Sequence, residues 1–257
     1  MFSVNVLLYG DYPSLARRCL QSLVDHIDKK YVAEVRIGLN AVSPATLTVL
    51  RDLVVKLPVP YHLYHETHMR NVGKYPLMRQ MFYDSLLPLR DNVMWFDDDS
   101  YLCCGPRWWE TVSSWLDMFE VVGSIYRMPL LGDQAKAIAA QKWFGGRPVK
   151  KGQLLQFVTG GWWAARRWVL QQWDYPFPAL HHNGGDQLFG ALCYQQNFRL
   201  KHFSAGVSIN ANEEGKESKA ERRGISTVPL WSTWQPDHPD DLSHQQFDTI
   251  STSSSDN

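Results

Sequence analysis

Apolar and polar positions alternate with two different periods along the first hundred residues. Phe2–Gly10 is a short apolar run that stops at Gly10-Asp11-Tyr12-Pro13, a turn signal. Leu15, Cys19, Leu20, Leu23, Val24 and Ile27 then recur on one helical face, which predicts a helix over Ser14–Ile27 with Ser14 as its cap. Glu34–Asn40 reads as a strand, Ala45–Lys56 as a second helix and Val59–His65 as a third strand. The order β-α-β-α-β predicts a parallel sheet with active residues at the carboxyl ends of its strands. Pro76–Leu86 predicts another helix, and Asn92–Phe96 a fourth, buried strand.

The second half is less regular. Arg107–Phe119 has helical spacing, Val121–Met128 reads as a strand and Ala135–Trp143 as a short helix. Leu154–Ala164 is strand-like but interrupted by Gly160-Gly161, which is also the pattern of a bulge in a core strand. Gly184–Gln196 predicts a helix and Phe198–Ser208 a strand. Asn210–Gly224 is charged, rich in turn residues and without apolar periodicity, and predicts a mobile loop that could order as a lid over a ligand. Ser251–Asn257 is a polar tail, so residues 210–257 are expected to be flexible.

Composition narrows the function classes. Lys+Arg and Asp+Glu are both 26, a formal net charge of zero, so no global basic field points to nucleic acid or an anionic membrane. No stretch approaches the ~20 apolar residues of a transmembrane helix. Phe2–Gly10 lacks the basic start and small-residue cleavage site of a signal peptide. The four cysteines form no CxxC or Cys/His pattern, and reduced thiols in a cytoplasmic protein are the expectation. Tryptophan is abundant, with 11 residues, and two pairs are adjacent: Trp108-Trp109 and Trp162-Trp163. Neighbours on a regular element point apart. One of each pair is therefore expected to face a cleft or another element; an indole in a cleft suits the C–H face of a sugar or the plane of a base.

The chemistry concentrates where Val93-Met94-Trp95-Phe96 runs into Asp97-Asp98-Asp99. Three adjacent carboxylates at a strand end repel one another, and a hard divalent cation relieves that penalty. Mg²⁺ or Mn²⁺ is held by one or two carboxylates with phosphate oxygens and water. Strand alternation puts Asp97 and Asp99 on one side as metal ligands and Asp98 on the other. Lys74, Arg79 and Arg70 lie between the third strand and this cluster, and could neutralise a diphosphate or be plain surface charges. A solvated acidic turn is the bland alternative.

The strand–helix order, followed by Asn71-Val72-Gly73-Lys74, a helix containing Arg79 and a strand ending Phe96-Asp97-Asp98-Asp99, resembles the nucleotide-binding half of family 2 glycosyltransferases and their GT-A relatives. The resemblance covers roughly residues 2–205. It implies a single-domain GT-A, Rossmann-like α/β fold with a mixed, mainly parallel sheet flanked by helices. Residues 1–102 would be the nucleotide-sugar-binding half and 103–209 the acceptor and catalytic half. It also implies a nucleoside-diphosphate sugar donor, bound through Asn40, Asn71, Lys74, Arg79, Asp97 and Asp98, with Mn²⁺ or Mg²⁺. Asn40 ends the second strand where the family often carries an Asp for the base or ribose.

In His181-His182-Asn183-Gly184-Gly185-Asp186, the glycines allow close backbone approach, and Asp186 opens a helix. The resemblance makes Asp186 the general base that takes the acceptor's proton; a helix cap is the other reading. It places Gly160, Gly161, Trp162, Trp163 and Gly185 against donor sugar and acceptor, and His202 as a third metal ligand beside Asp97 and Asp99. The expected product is an inverted glycoside. Glycan, lipid-linked sugar, protein, metabolite and modified nucleobase all remain open as acceptor. A nucleotidyltransferase would share the sheet and acidic site but wants a Gly-rich basic loop after the first strand, which Gly10-Asp11-Tyr12-Pro13 is not. A non-catalytic carbohydrate-binding protein would leave Asp97–Asp99 and Asp186 without a task.

Overall fold

A computed structural model describes residues 1–209, apart from 69, 106, 179 and 181–183, together with the backbone of 247–252. The first half follows the apolar pattern closely. β1 (Phe2–Tyr9), β2 (Val32–Asn40), β3 (Tyr61–Glu66) and β4 (Asn92–Asp97) are joined through α1 (Pro13–His26), α2 (Pro44–Val54) and α3 (Lys74–Tyr83). Pro13, not Ser14, opens α1; Tyr12 stands at the cap position and makes no side-chain cap bond. A proline at the first helical position carries no N–H to satisfy and has its φ preset. Ser43 does cap α2, accepting from the Thr46 amide.

The second half adds β5 (Tyr101–Leu102), α4 (Arg107–Met118), β6 (Val121–Pro129), α5 (Gly132–Ala139), β7 (Leu154–Arg166) and α6 (Arg167–Gln171). These are followed by α7 (Gly185–Gln195), β8 (Leu200–His202) and β9 (Val207–Ser208). β7 continues through Gly160-Gly161, but its register with β6 shifts there, Gly123 pairing with Trp163 and Ile125 with Val158, as the bulge reading expected; the expected strand over 198–208 is two short ones separated by a turn.

The strand order is β10-β3-β2-β1-β4-β7-β6-β8, with β10 being Phe247–Thr252. β1 pairs in parallel with both β2 and β4, so the chain leaves β1 in opposite directions. That reversal opens a crevice at the carboxyl ends of β1 and β4, the place where open α/β sheets bind ligands. β7 is antiparallel to β4 and β6, and β8 is parallel to β6. β10 pairs antiparallel with β3 along Tyr61–Glu66, so the expected flexible carboxyl-terminal segment supplies an edge strand. Its polar sequence carries little apolar signal, but Phe247, Thr249, Ile250 and Thr252 are residue types that favour strands. The expected lid at 210–224 lies outside the described residues.

Alternation along the central strands divides the core into two layers. Val4, Val6, Leu8, Met94, Phe96, Trp162 and Ala164 meet α1, α2 and α4 on one face. Leu7, Val93, Trp95, Trp163 and Ala165 meet α3, α6 and α7 on the other. Both members of each tryptophan pair are buried, at 5% and 0% exposure for Trp108 and Trp109 and 0% and 3% for Trp162 and Trp163. Trp162 and Trp163 lie on β7, whose two sides are both core, so each meets another element; on α4, Trp109 is core while Trp108 borders a pocket with Cys104 and Gly206.

At the amino-terminal end of the sheet, buried Glu34 accepts from Ser3 Oγ at 2.7 Å and from Arg36 Nε at 2.9 Å. Fully buried Arg36 also donates to the Met81 and Leu87 carbonyls, which ties β2 to the end of α3. Burial pushes the Glu34 carboxyl up, but His62, Arg36 and Ser3 outweigh it and hold it at about 2. Its folded value lies below the ordinary 4.5, so its stabilisation is complete above pH 4.5 and fades as pH falls toward 2. Glu34→Gln should lower stability by about 3 kcal/mol at pH 7, because buried Arg36 loses its partner. The gap to the wild type should shrink between pH 4.5 and pH 2.5. Denaturant titrations across that range check this; a constant gap contradicts it.

Candidate active site

Lys74 is the first residue of α3 and is 6% exposed. Its ammonium lies 2.8 Å from Asp97 Oδ1 and donates to Asp97 Oδ2 at 2.9 Å and to the Gly160 carbonyl at 2.9 Å. The Trp95 indole N–H donates to Asp97 Oδ1 at 3.0 Å. Trp95 and Asp97 stand two apart on β4 and so share a face. Gly73 makes the approach of Lys74 possible with φ +90°, and its amide donates to Asn71 Oδ1 at 3.0 Å. One buried ion pair thus joins α3, β4 and β7.

Within the acidic cluster, Asp97 faces the interior and is engaged by Lys74 and Trp95. Lys74 meets that carboxylate in the interior. β4 ends at Asp97, and the turn that follows, with the Ser100 amide donating to the Asp97 carbonyl at 3.0 Å, ends the strand alternation expected for Asp99. Asp98 Oδ2 accepts the Tyr9 amide at 3.1 Å across the crevice from β1. Asp98 and Asp99 are 2% exposed each.

A polar lattice spans the carboxyl ends of β1 and β2. Asn40 Nδ2 donates to Asn71 Oδ1 at 3.0 Å, and Asn40 Oδ1 accepts the Val72 amide at 3.0 Å. Asn71 Nδ2 donates to Tyr9 Oη at 3.3 Å. The Tyr9 and Tyr12 rings stack at 6.4 Å across the Gly10 turn. Asn40 and Asn71, expected at the donor, therefore stand together and are linked to Asp98 through Tyr9, which with Tyr12 the sequence did not single out.

Asp186 lies in the first turn of α7, where the amide dipoles favour an anion. Its Oδ2 accepts the Tyr126 hydroxyl at 2.7 Å, and its Oδ1 accepts the Gln187 amide at 2.9 Å. Burial and then the facing Asp186 carboxylate hold the Tyr126 phenol well above its ordinary value, so it serves as an O–H donor. Tyr75, next to Lys74, is also raised, by burial, Tyr175, Asp186 and Asp97 in that order. Both carboxylates therefore act on one tyrosine. Gly185 lies hard against it: a Cβ there would stand 2.1 Å from Tyr75 Cζ. Tyr175 Oη donates to the Gly185 carbonyl at 3.2 Å. Gly185 thus serves the close approach of α7 to α3. Residues 181–183 lie outside the described residues.

Other expected contacts fall elsewhere. Trp163 stacks on Trp95 at 6.5 Å and Trp162 on Phe96 at 6.5 Å, both inside the core instead of beside a sugar. Gly161 is buried where a Cβ would stand 2.2 Å from Ile209 Cγ2, so its smallness serves packing. Arg79 Nη1 donates to Asp174 Oδ1 at 2.8 Å and to the Pro176 carbonyl at 2.6 Å, tying α3 to the 174–176 turn. Arg70 pairs with Glu66 at 3.0 Å. His202 shares one cross-strand row with Gly123, Trp163 and Trp95. Three strand spacings, ~14 Å, separate it from β4, and its Nδ1 accepts the Ile125 amide at 3.0 Å.

No group of three or more His, Cys, Asp and Glu side chains able to hold a metal exists among the described residues, so Asp97, Asp99 and His202 do not form one. The hard oxygens of Asp98 and Asp99 fit a cation that takes one or two carboxylates and completes its shell with phosphate and water. Tyr126 and Tyr75 were missed because a tyrosine in a strand or helix start carries no distinguishing sequence signal.

The fold is similar to that of the mannosyltransferase PcManGT from Pyrobaculum calidifontis, solved with GDP-Man and Mn²⁺, at 15% identity over 79% of this chain and 55% of that one, TM-score 0.54. It is also similar to GalNAc-T7, solved with UDP, GalNAc and Mn²⁺, at 14% identity over 79% of this chain and 42% of that one, TM-score 0.56. This chain spans less than two thirds of either protein. The likeness establishes the GT-A fold, a mixed and mostly parallel sheet flanked by helices. No family model and no curated protein matches the sequence. Among the described residues no helix is long and apolar enough to cross a membrane.

Lys74→Met and Asp97→Asn should each cost about 3 kcal/mol of stability, since each strands a buried charge. The Lys74→Met/Asp97→Asn double variant should lose less than the sum, by about 1–2 kcal/mol. Urea titrations of the four proteins measure the coupling; strictly additive losses contradict the pair.

Proposed function

We propose that this chain is a glycosyltransferase that moves a sugar from a nucleoside-diphosphate sugar to an acceptor hydroxyl, with inversion at the anomeric carbon. The observation that carries this reading is geometric: Asp98 accepts the Tyr9 amide at the carboxyl ends of β1 and β4 in a GT-A sheet, and Asp186 opens α7. The nucleoside belongs beside Tyr9, Asn40 and Asn71, and the diphosphate beside Asp98 and Asp99. Mn²⁺ or Mg²⁺ held by Asp98 and Asp99 would neutralise the departing diphosphate; PcManGT and GalNAc-T7 were both solved with Mn²⁺.

Lys74 is a positioning residue that fixes the end of β4 through Asp97. Asp186 acts as general base. Tyr126 and the Gln187 amide orient the carboxylate, and each of its oxygens has a second lone pair for the incoming proton. The acceptor oxygen bonds to the anomeric carbon as its proton passes to Asp186. The bond from that carbon to the diphosphate breaks, and its electron pair leaves with the diphosphate.

The turn after β1 carries two stacked tyrosines and no basic phosphate loop, which disfavours nucleotidyl transfer. The four cysteines are free, which supports a reducing, cytoplasmic setting.

Hydrolysis and transfer assays with UDP- and GDP-sugars, with Mn²⁺ and with chelator, test the reading; a carbohydrate-binding protein would turn over none of them. Asp186→Asn should keep donor affinity within a few-fold and lower turnover by roughly 10²–10⁴. Normal turnover in that variant, or an NMR-defined product that retains the donor's configuration, would refute the mechanism.

A further inference from the structure

A cavity of about 330 Å³ lies at the far end of α7, walled by that helix and by the outer parts of β6 and β7. Arg127, Arg147, Gln156, Tyr194 and Asn197 line it, and no carboxylate does. Two guanidinium groups therefore share one cavity with no anion in its wall, on a chain of zero formal net charge.

The two arginines are held differently. The Arg147 guanidinium sits 4.1 Å from the Tyr194 ring centroid. Its Nη1 donates to the Tyr194 carbonyl and, at 3.3 Å, to Asn197 Oδ1, which leaves donors on its other two nitrogens. Arg127 is exposed and has no ion-pair partner among the described residues. One anchored and one exposed fork suit a carboxylate or phosphate, which guanidinium groups bind in bidentate fashion. The aromatic ring and the two amides suit the apolar face and hydroxyls of a sugar.

The cavity is also joined to the candidate base. Arg127 follows Tyr126, the residue that holds Asp186. Gly190, in the cavity wall, is four residues along α7 from Asp186, about 6 Å. Its missing side chain lets α7 lie on β7, since a Cβ would stand 2.4 Å from the Gln156 carbonyl oxygen.

We propose that this cavity binds an anionic sugar unit, bearing a carboxylate or a phosphate, as a residue of the acceptor distal to the reacting hydroxyl. Its role as an acceptor subsite rests on the transferase reading; the binding itself does not.

The test titrates the full chain with glucuronic acid, glucose 6-phosphate, glucose and inorganic phosphate, followed by calorimetry and by NMR. At least one anionic sugar should bind saturably where glucose does not, and whichever binds identifies the anion. Arg127→Gln, at an exposed position, should weaken that binding about tenfold. Asp186→Asn should leave it unchanged. Persistent binding in a chain without transferase activity would sink the proposed function and uphold the cavity. The proposal is overturned if neither anionic sugar binds, if glucose binds equally well, if inorganic phosphate binds as tightly as glucose 6-phosphate, if Arg127→Gln changes nothing, or if Asp186→Asn abolishes binding.

Discussion

The buried contact between Lys74 and Asp97 sets the geometry on which the candidate site depends. An ammonium and a carboxylate, each under a tenth exposed, are expensive to dehydrate unless their hydrogen bonds are completed. Here the Gly160 carbonyl and the Trp95 indole complete them. Such a pair adds little net stability over a well-packed apolar alternative, so its value lies in specifying an arrangement. It fixes the start of α3 against the ends of β4 and β7. Tyr75 follows as the next residue and can only sit where α7 must pass. Gly185 then becomes necessary because a side chain at that point would collide with the Tyr75 ring. The position of Asp186, one residue further on, descends from the ion pair through these two contacts.

The same pair divides labour among three adjacent aspartates. Asp97 is drawn inward by its cation and by Trp95, and the chain turns immediately afterwards. Asp98 is thereby carried to the crevice beside β1, where it accepts the Tyr9 amide. Trp95, Trp109, Trp162 and Trp163 belong to this scheme as core. Trp95 is packed against Trp163 and Phe82 on one face of the sheet and passes its N–H to Asp97, so the aromatic layer directly supports the acidic strand end.

How much of this is legible in the sequence depends on the range of the interaction. Phe2–Tyr9, Val32–Asn40 and Asn92–Asp97 declare themselves through local apolar runs bounded by turns, and they settle the α/β architecture. Asp186 is legible as the start of α7 because glycines precede it and an apolar helix follows. The partner of Asp97 is not legible, because it depends on a positive-φ Gly73 that carries Lys74 across 23 residues of sequence. His202 misleads for a related reason: its neighbours depend on β7 and β6 being inserted between β4 and β8, and sequence order does not reveal sheet order. The two-residue β5, the five-residue α6 and the polar β10 are too short or too weakly apolar to show a period.

α7 finally links the two charged features outside the ion pair. Its amino-terminal turn presents unbonded amides and favours the carboxylate of Asp186; its last turn presents carbonyls and favours a cation. Arg147 meets that second demand by donating to the Tyr194 carbonyl while stacking on the Tyr194 ring. A helix of 11 residues is about 16 Å long, so negative charge at one end and positive charge at the other are held at a fixed separation by one rigid element. The chain's zero formal charge conceals this segregation, which arises because each end of the same helix selects the opposite sign. A long ligand laid along α7 would meet the Asp186 carboxylate first and the Arg147 guanidinium after it, and the spacing between them would be set by the helix instead of by any loop.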